Sequence, residues 1–451
     1  MIRQAFKRLW GDKRGNMLVI AGAAMPLLVG SAGLATDTIQ WTLWKRQLQR
    51  AADSAALAGV YQRIQGGDQA AVGSAVTRDL AINNHTGITL MSGYPEVTLP
   101  ADSGTSRQQV NVVLKLSQSL PFSAMFMAAA PIITTTARAA SVPGSDEYCV
   151  VSLEPNASKT GITVGGNASI EMDCGMISNS PAFNSALSNG NSSNVRASVI
   201  AAVGGVQAST RWNVDKYDPY VSAFEDPYAD VNIDRTQMDC FSAGSKFPKL
   251  GTSTSSNFNG ANATVTLADA QTANPGANCF SGLSVGSGTT LNLPAGTYYI
   301  GEGGADIQGT ITGADVTLVM TRIDETAAVG TLSVNASANL SLTAPSAVTD
   351  PTNPYAGIAI YQDRNAVDSN STQNKINGNS TSQIIGAVYF PNQEIVYNGG
   401  GSTGFVCTRL VGRRVVFSGN TAISNKFEKG SECPIFGDGG LEGGRRVRLV
   451  A

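Results

Sequence analysis

The first strong pattern in the chain is an uninterrupted apolar run near its N-terminus, from Met17 to Thr36. A helix of about 20 residues, rising about 1.5 Å per residue, crosses the roughly 30 Å hydrocarbon core of a bilayer. We therefore predict a transmembrane helix over residues 17–39, preceded by a basic tail over residues 1–16. The main alternative, a cleaved signal peptide, has a shorter apolar core of about 7–15 residues.

Beyond the apolar run, the helical pattern continues with aromatic and small residues on one face. Their spacing of three and four residues is that of a helix seam, and small alanines in it allow close approach of a neighbouring element. The seam residues are Trp41, Trp44, Leu48, Ala51, Ala55 and Ala58. We expect the seam to pack on a sheet of its own domain or, alternatively, to meet a partner helix.

Alternating apolar and polar residues next predict short strands. Glu96–Leu99, Val110–Leu116 and Ile132–Ser141 are the candidates, and a second short helix over about residues 69–83 precedes them. Residues 40–142 therefore read as a small α+β domain, in which the long helix packs on a three-stranded sheet. Val142 to Ser145 is a plausible boundary.

The remainder, residues 149–451, repeats short apolar pairs separated by Gly, Asn and Ser turns. Examples are ITVGGNASIEM (162–172), LSVGSGTTLNL (283–293) and LSVNASANLSL (332–342). No fixed period joins these segments. The pattern predicts a mainly-β domain, either an irregular β-solenoid or, alternatively, a β-sandwich. Residues 211–234, rich in aromatic and acidic residues, read as an extended connector pinned to this domain.

The distribution of charge predicts the orientation of the helix across the membrane. The first fifty residues hold eight Lys or Arg and two acids, a net charge of +6, whereas the whole chain has −2. Basic residues flanking a span stay on the cytoplasmic side, so the bulk of the chain is expected outside. Outside the membrane flank nothing is basic enough to bind nucleic acid.

Cysteine placement agrees with export. The six cysteines all lie beyond the anchor, at Cys149, Cys174, Cys240, Cys279, Cys407 and Cys433. An even number in an exported domain favours disulfides over metal binding, and no CxxC motif occurs. We predict sequential pairing, 149–174, 240–279 and 407–433, because each pair closes a modest loop. Buried free thiols are the alternative.

No motif for catalysis is complete. Ser284 lies in a GxSxG sequence, but its flanks read as strands and the one histidine, His85, belongs to the preceding domain. The best acidic group for a carbohydrate-active enzyme is Asp350, Asp363 and Asp368 with Arg364, in a Pro- and Asn-rich segment. We read this segment as a loop insertion, and predict no catalytic residue, cofactor or metal.

The N-terminal motifs resemble a known family. Arg14–Asn16, the exit Gly33–Asp37 and the string Leu48–Gly59 (LQRAADSAALAG) are similar to the start of TadE/TadG-like proteins of the Tad, or Flp, pilus system. The small α+β domain up to about residue 142 is similar to the rest of the TadG-like pattern, and the β-rich remainder resembles the variable C-terminal part of such proteins more loosely. Prepilins carry Glu at the fifth position after the cleaved glycine, whereas Ile20 follows Gly15 at that distance, which favours a permanent anchor.

The resemblance implies a single-pass inner-membrane protein of a Gram-negative bacterium, with its N-terminus in the cytoplasm and its bulk in the periplasm. It implies a non-enzymatic role in pilus assembly, with other Tad/Flp assembly proteins or pilin as partners and an unknown oligomeric state. The alternative is an envelope-anchored adhesin whose β-rich domain binds a glycan or a protein.

Overall fold

The chain divides into two compact units. The computed structural model describes residues 13–82, 89–144, 146–233, 257–258, 264–266, 279–323, 326–369, 374–377, 382–398, 403–419, 422–426, 433–436 and 443–450. Met1–Val142 and Val447–Ala451 form the first unit, and Pro143–Arg446 forms the second. A long apolar helix followed by a mostly β region is confirmed.

Two helices build one side of the first unit. Helix α1 (Lys13–Ile64) is 52 residues long and helix α2 (Gln69–Ile82) is 14 residues long. Gly66 separates them with a φ of 83°, a left-handed conformation that glycine adopts without steric cost. The carboxylate of Asp68 accepts a hydrogen bond from the backbone N–H of Ala71 at 2.8 Å, which caps the start of α2.

The described residues of the first unit form a sheet of four strands, where the sequence predicted three. Strands β1 (Glu96–Thr98), β2 (Arg107–Ser117) and β3 (Ile132–Gly144) pair in antiparallel register. The C-terminal strand Gly443–Val450 adds to the edge of β3. The end of the predicted β-rich domain 149–451 therefore belongs to the first unit, because Val447 packs against that unit's core.

Strand β2 provides the apolar face on which α1 packs. Val110, Val112, Leu114 and Leu116 alternate along it and are all fully buried. The side chains between them are more exposed, as expected for a sheet with one covered face. The sequence alternation thus predicted which face of β2 is buried.

Most of the described strands of the second unit are short, and the longest, β24, has 15 residues. They are β4 (Tyr148–Ser152), β5 (Ile162–Val164), β6 (Ser169–Met172), β7 (Gly175–Ser178), β8 (Ala186–Ser188), β9 (Asn194–Ala202), β10 (Trp212–Pro219), β11 (Asn257–Phe258), β12 (Thr264–Thr266), β13 (Cys279–Phe280), β14 (Leu283–Val285), β15 (Thr290–Leu293), β16 (Gly296–Ile300), β17 (Ala305–Ile307), β18 (Thr310–Gly313), β19 (Val316–Met320), β20 (Leu332–Val334), β21 (Asn339–Thr343), β22 (Ile358–Gln362), β23 (Asn374–Ile376), β24 (Gln383–Tyr397), β25 (Thr403–Val406), β26 (Thr408–Phe417) and β27 (Ala422–Lys426). The C-terminal strand is β28 (Gly443–Val450).

Within the second unit, every described strand pair is parallel. Strands β14, β17, β20 and β23 form one row, β15, β18, β21 and β24 a second, and β16, β19, β22 and β24 a third. Successive partners in the first row begin at Leu283, Ala305 and Leu332. These unequal steps explain why the sequence has no fixed period.

The order of the stack differs from the order of the chain. Strand β26 pairs with β24 on one side and with β4 and β5 on the other. From β4 the stack continues through β7 and β9 to β10. The chain therefore enters the second unit in the middle of the stack, winds to one end, and later returns to the middle from the other side.

Two hydrophobic clusters hold the stack together. The larger one collects inward-facing aliphatic side chains from successive strands, such as Ile162, Ile311 and Val415. The smaller one is rich in tyrosine and lies beneath residues 221–233. Because Trp212–Pro219 form β10, the predicted connector 211–234 begins with a paired strand. The described residues after it, 221–233, form no strand and include a turn at 227–230, so the prediction of an extended connector holds for only part of this range.

Candidate functional site

The N-terminal half of α1 exposes a continuous apolar surface. The exposed large apolar residues there are Ile20, Met25, Leu27, Leu28, Val29, Leu34 and Ile39. Among the described residues, α1 is the one helix long and apolar enough to cross a membrane, and its most apolar window has a mean hydropathy of 1.3 and is 6% buried. We interpret α1 as a single membrane anchor.

The predicted seam is buried in its central part. Leu48, Ala51 and Ala55 are buried, whereas Trp41, Trp44 and Ala58 are half-buried. The buried face of the helix also includes Ala52, Ala56 and Val60, which were not part of the predicted seam, and it leaves out Ala58. A Cβ added at Gly59 would lie 2.8 Å from Val110 of β2 and 3.2 Å from Val76 of α2. The centre of the seam is therefore occupied by the sheet and by α2 of the same unit.

A carboxylate of α1 holds the loop between β2 and β3. Asp37 is 3% exposed and accepts hydrogen bonds from the backbone N–H of Phe122 at 3.0 Å and from the N–H and hydroxyl of Ser123. These donors begin the short 3₁₀ helix Ser123–Met125. The ring of Phe122 lies against Gly33, where no Cβ would fit. Sequence reasoning missed this contact.

Residues 221–233 are fixed to the second unit by paired hydrogen bonds. The side-chain amide of Asn179 donates to the carbonyl of Phe224 and accepts from its N–H, both at 2.8 Å. The Phe224 ring meets Tyr148 of β4 at 5.8 Å between centroids. This end of the segment thus lies over strands from the start of the second unit.

Further along the segment, Asp226 accepts from Tyr389 Oη at 2.7 Å and from Arg364 Nη1 at 2.9 Å. Arg364 also donates to the carbonyl of Tyr228, and Tyr361 Oη donates to the carbonyl of Val231 at 2.7 Å. Burial raises the pKa of Tyr361 to about 12, so its hydroxyl stays protonated at neutral pH. The segment therefore bridges strands that enter the stack from opposite directions.

A buried charge network lies where the two halves of the stack meet. Arg414 of β26 donates to Glu154 at 2.7 Å, to Asp368 at 2.6 and 2.8 Å, and to Glu394 at 3.0 Å. Glu154 is fully buried and also contacts Arg413 at 3.3 Å. The hydrogen bonds from Arg414 hold the pKa of Asp368 below its ordinary value. Each carboxylate here has a cationic partner.

The acidic group proposed from sequence is divided among separate partners. Asp363 accepts from Thr321 and from the N–H of Asn365, both at 2.9 Å, whereas Asp368 binds Arg414. Arg364 faces the connector, as described above. Ser284 lies in strand β14, paired with Asp306 of β17, and the next element is strand β15. No cluster that could hold a metal occurs among the described residues.

The network predicts a loss of stability in acid. Because the folded-state pKa of Asp368 is lowered, its contribution is present above the ordinary carboxylate pKa of about 4 and is lost as pH falls through the lower folded value. We expect urea unfolding of the wild-type second unit to need less urea below about pH 4. An Asp368→Asn variant should lose part of this pH dependence; an identical profile would contradict the assignment.

Two of the three predicted disulfides lie within the described residues, and both have the sequential pairing. Cys149 bonds Cys174 and Cys407 bonds Cys433, with Cα–Cα distances of 5.8 and 5.2 Å. Cys279 is also disulfide-bonded, and its predicted partner Cys240 lies outside the described residues. His85 lies outside them as well.

The two disulfides should contribute similarly to stability. Their sequence separations are 25 and 26 residues, and the loop-entropy model assigns about 3 kcal/mol to loops of this size. Replacing Cys407 and Cys433 by Ser should lower the unfolding midpoint in urea as much as replacing Cys149 and Cys174. A midpoint equal to that of the wild type in either double variant would contradict this expectation.

The comparison with known families concerns α1. Residues 15–63 match the family model described as putative Flp pilus-assembly TadE/G-like. This segment is TadE/G-like. The resemblance inferred from the sequence is therefore confirmed for these residues. No curated protein matches the chain, and no solved structure matches it.

The TadE/G-like segment coincides almost completely with one helix. It begins two residues after Lys13, the first residue of α1, and ends at Arg63, one residue before its last. It includes both the apolar run from Met17 to Thr36 and the seam, whose centre packs on β2. At its end, Arg63 donates to the carbonyls of Pro100 and Gln109, which ties the helix to the sheet. The family pattern thus describes an anchor and its attachment to a folded unit.

Proposed function

We propose that this protein is a non-enzymatic component of Tad/Flp pilus assembly, held in the inner membrane by α1. The observation that carries the proposal is the TadE/G-like match over residues 15–63, which form this helix. Five basic residues precede the apolar run, which supports a cytoplasmic N-terminus and a periplasmic bulk. Disulfides suit the oxidising periplasm.

The second unit is, in this proposal, an irregular β-solenoid that offers a side surface to pilin or to other assembly proteins. Parallel pairing in every described strand pair supports a solenoid over a sandwich, because sandwiches are built from antiparallel sheets. The segment 221–233 then joins coils from both directions of winding. Such a unit resists unwinding from either end, which suits a protein that contacts a growing filament.

The non-enzymatic assignment is supported by how the acidic side chains are used. Asp226, Asp363 and Asp368 each bind a neighbouring side chain within the fold, as do Glu154 and Glu394. A glycosidase-like site needs two carboxylates facing a substrate cleft. These five carboxylates instead join strands and loops.

Deleting the gene in a piliated strain tests the proposal. We expect surface pili to disappear and to return on complementation with the full chain. Normal pilus counts would refute it, and normal counts together with lost attachment would favour the envelope-anchored adhesin. In spheroplasts, added protease should digest both units; protection of both would refute the orientation.

A further inference from the structure

The loop that joins β2 to β3 is an exposed apolar surface. We call residues 121–132 the apolar loop. Its exposed large side chains are Met125 (75% exposed), Phe126 (74%), Met127 (51%) and Ile132 (58%). No charged residue occurs between Lys115 and Arg138. Clusters of exposed apolar side chains of this kind mark interaction surfaces.

The apolar loop is held at a defined height along α1. Asp37 caps its 3₁₀ turn through Phe122 and Ser123, and the Phe122 ring covers Gly33. Gly33 and Asp37 flank the end of the uncharged run at Thr36. The loop therefore lies where the membrane-crossing part of the helix ends.

Side chains on α1 indicate that the membrane surface lies close to the level of the apolar loop. The half-buried Trp41 and Trp44 lie about 8–12 Å beyond Thr36 along the helix, and tryptophan favours the headgroup region of a bilayer. Leu34 and Ile39, on either side of Asp37, are 56% and 62% exposed. Exposed apolar residues of the helix therefore lie close in sequence to Gly33 and Asp37, the two residues that hold the loop.

Asp37 is buried, so its carboxylate does not prevent the apolar loop from lying at the membrane surface. A free carboxylate at the edge of the hydrocarbon would be costly. Here three hydrogen-bond donors from the loop satisfy it, and it is 3% exposed. The same contacts that shield this charge present Met125, Phe126 and Met127 to the surroundings.

We propose that the apolar loop inserts into the interfacial layer of the bilayer beside α1, as a second membrane contact of the first unit. The occupant of this surface is lipid, because Gly33 and Asp37 fix the loop to α1 at the end of the exposed apolar part of the anchor. Two contacts at one height restrict tilting and axial sliding of α1. Asp37 is the positioning residue, since it fixes the loop to the helix.

Spin labels test this in the full chain reconstituted in nanodiscs of phosphatidylethanolamine and phosphatidylglycerol. One label replaces Met125, and a control label replaces Ala101, which is exposed in the loop at the opposite end of β2. We expect the Met125 label to collide with a water-soluble nickel chelate about tenfold less often than the Ala101 label, and more often with oxygen, as in lipid. Equal access to the chelate would overturn the proposal.

Two further measurements separate its failure from that of the anchor, on which it rests. A label at Leu27 should be in lipid; if it is in lipid while the Met125 label is in water, the loop proposal fails and the anchor stands. Chelate access at Leu27 would overturn both. An Asp37→Leu variant should raise the access of the chelate to the label at position 125. It should leave the access of the chelate to the label at position 27 unchanged. A Met125 label shielded from both reagents would mean a protein partner and would also overturn the lipid assignment.

Discussion

Replacing Gly59 by Leu should unfold the first unit locally. In α1 this position faces β2 and α2, and a single added Cβ would already lie 2.8 Å from Val110, 3.2 Å from Val76 and 3.4 Å from Val72. All three valines are fully buried and cannot move aside without displacing their own elements. We expect a cost of about 3 kcal/mol, at the upper end for overpacked cores. Hydrogen exchange of the β2 and α2 amides should become faster.

The same substitution at Gly73 is the matched control. Gly73 lies in α2, and an added Cβ there would meet no atom within 4 Å. Leu is a better helix former than Gly by up to about 1 kcal/mol, so Gly73→Leu should leave exchange unchanged or slower. Similar exchange in the two variants would show that close packing at Gly59 does not hold the unit together.

Local patterns predicted the first unit because its elements follow one another along the chain. The step of three and four residues found only the centre of the buried face of α1, at Leu48, Ala51 and Ala55. The alternation from Val110 to Leu116 found the buried face of β2. The C-terminal strand Gly443–Val450 was missed. Its sequence, GGRRVRLV, carries three arginines, and it pairs with β3, which is remote in sequence. Partner choice of this kind depends on long-range packing that no local pattern contains.

The stacking order of the second unit could not be predicted for a similar reason. Short apolar segments and Gly or Asn turns predicted β structure. These segments are so similar to one another in sequence pattern that they do not indicate which strands pair. The hydroxyl of Ser152 donates to the carbonyl of Arg413, 261 residues away, where β4 pairs with β26. Only the shapes and charges at that junction select this pairing, and they are distributed over distant segments.

The charge network had a weak signal in the sequence. Arg413 and Arg414 are adjacent in a mainly buried strand, TRLVGRRVVF, and paired cations in a buried strand require acidic partners. Sequence proximity suggested that Asp363 and Asp368 act together, but the fold gives them different partners. Disulfide pairing was easier, because a short loop between cysteines is itself a local property.

Replacing Arg414 by Met should cost the second unit about 3 kcal/mol or more. The substitution keeps the apolar part of the side chain and removes the guanidinium that Glu154, Asp368 and Glu394 share. Glu154 is fully buried and would keep the N–H of Asn156 at 3.0 Å, but its only remaining cationic contacts would be the longer ones of Arg413, at 3.3 and 3.5 Å. Removing one partner of a buried ion pair leaves a charge without compensation, and measured costs are about 3–5 kcal/mol. Urea unfolding at neutral pH checks this.

A matched pair of variants separates charge from packing. Arg196→Met removes an ion pair with Glu171 whose side chains are 67% and 60% exposed, and should cost less than about 1 kcal/mol. Adding Glu154→Gln to Arg414→Met should recover part of the loss, because a buried neutral amide is cheaper than a buried carboxylate without its partner. If the double variant is no more stable than Arg414→Met, the cost comes from packing at β26 and the electrostatic account is wrong. Recovery would mean that the ion pairs of Arg414 stabilise the junction of β4 with β26, where strands from the two ends of the second unit's sequence pair.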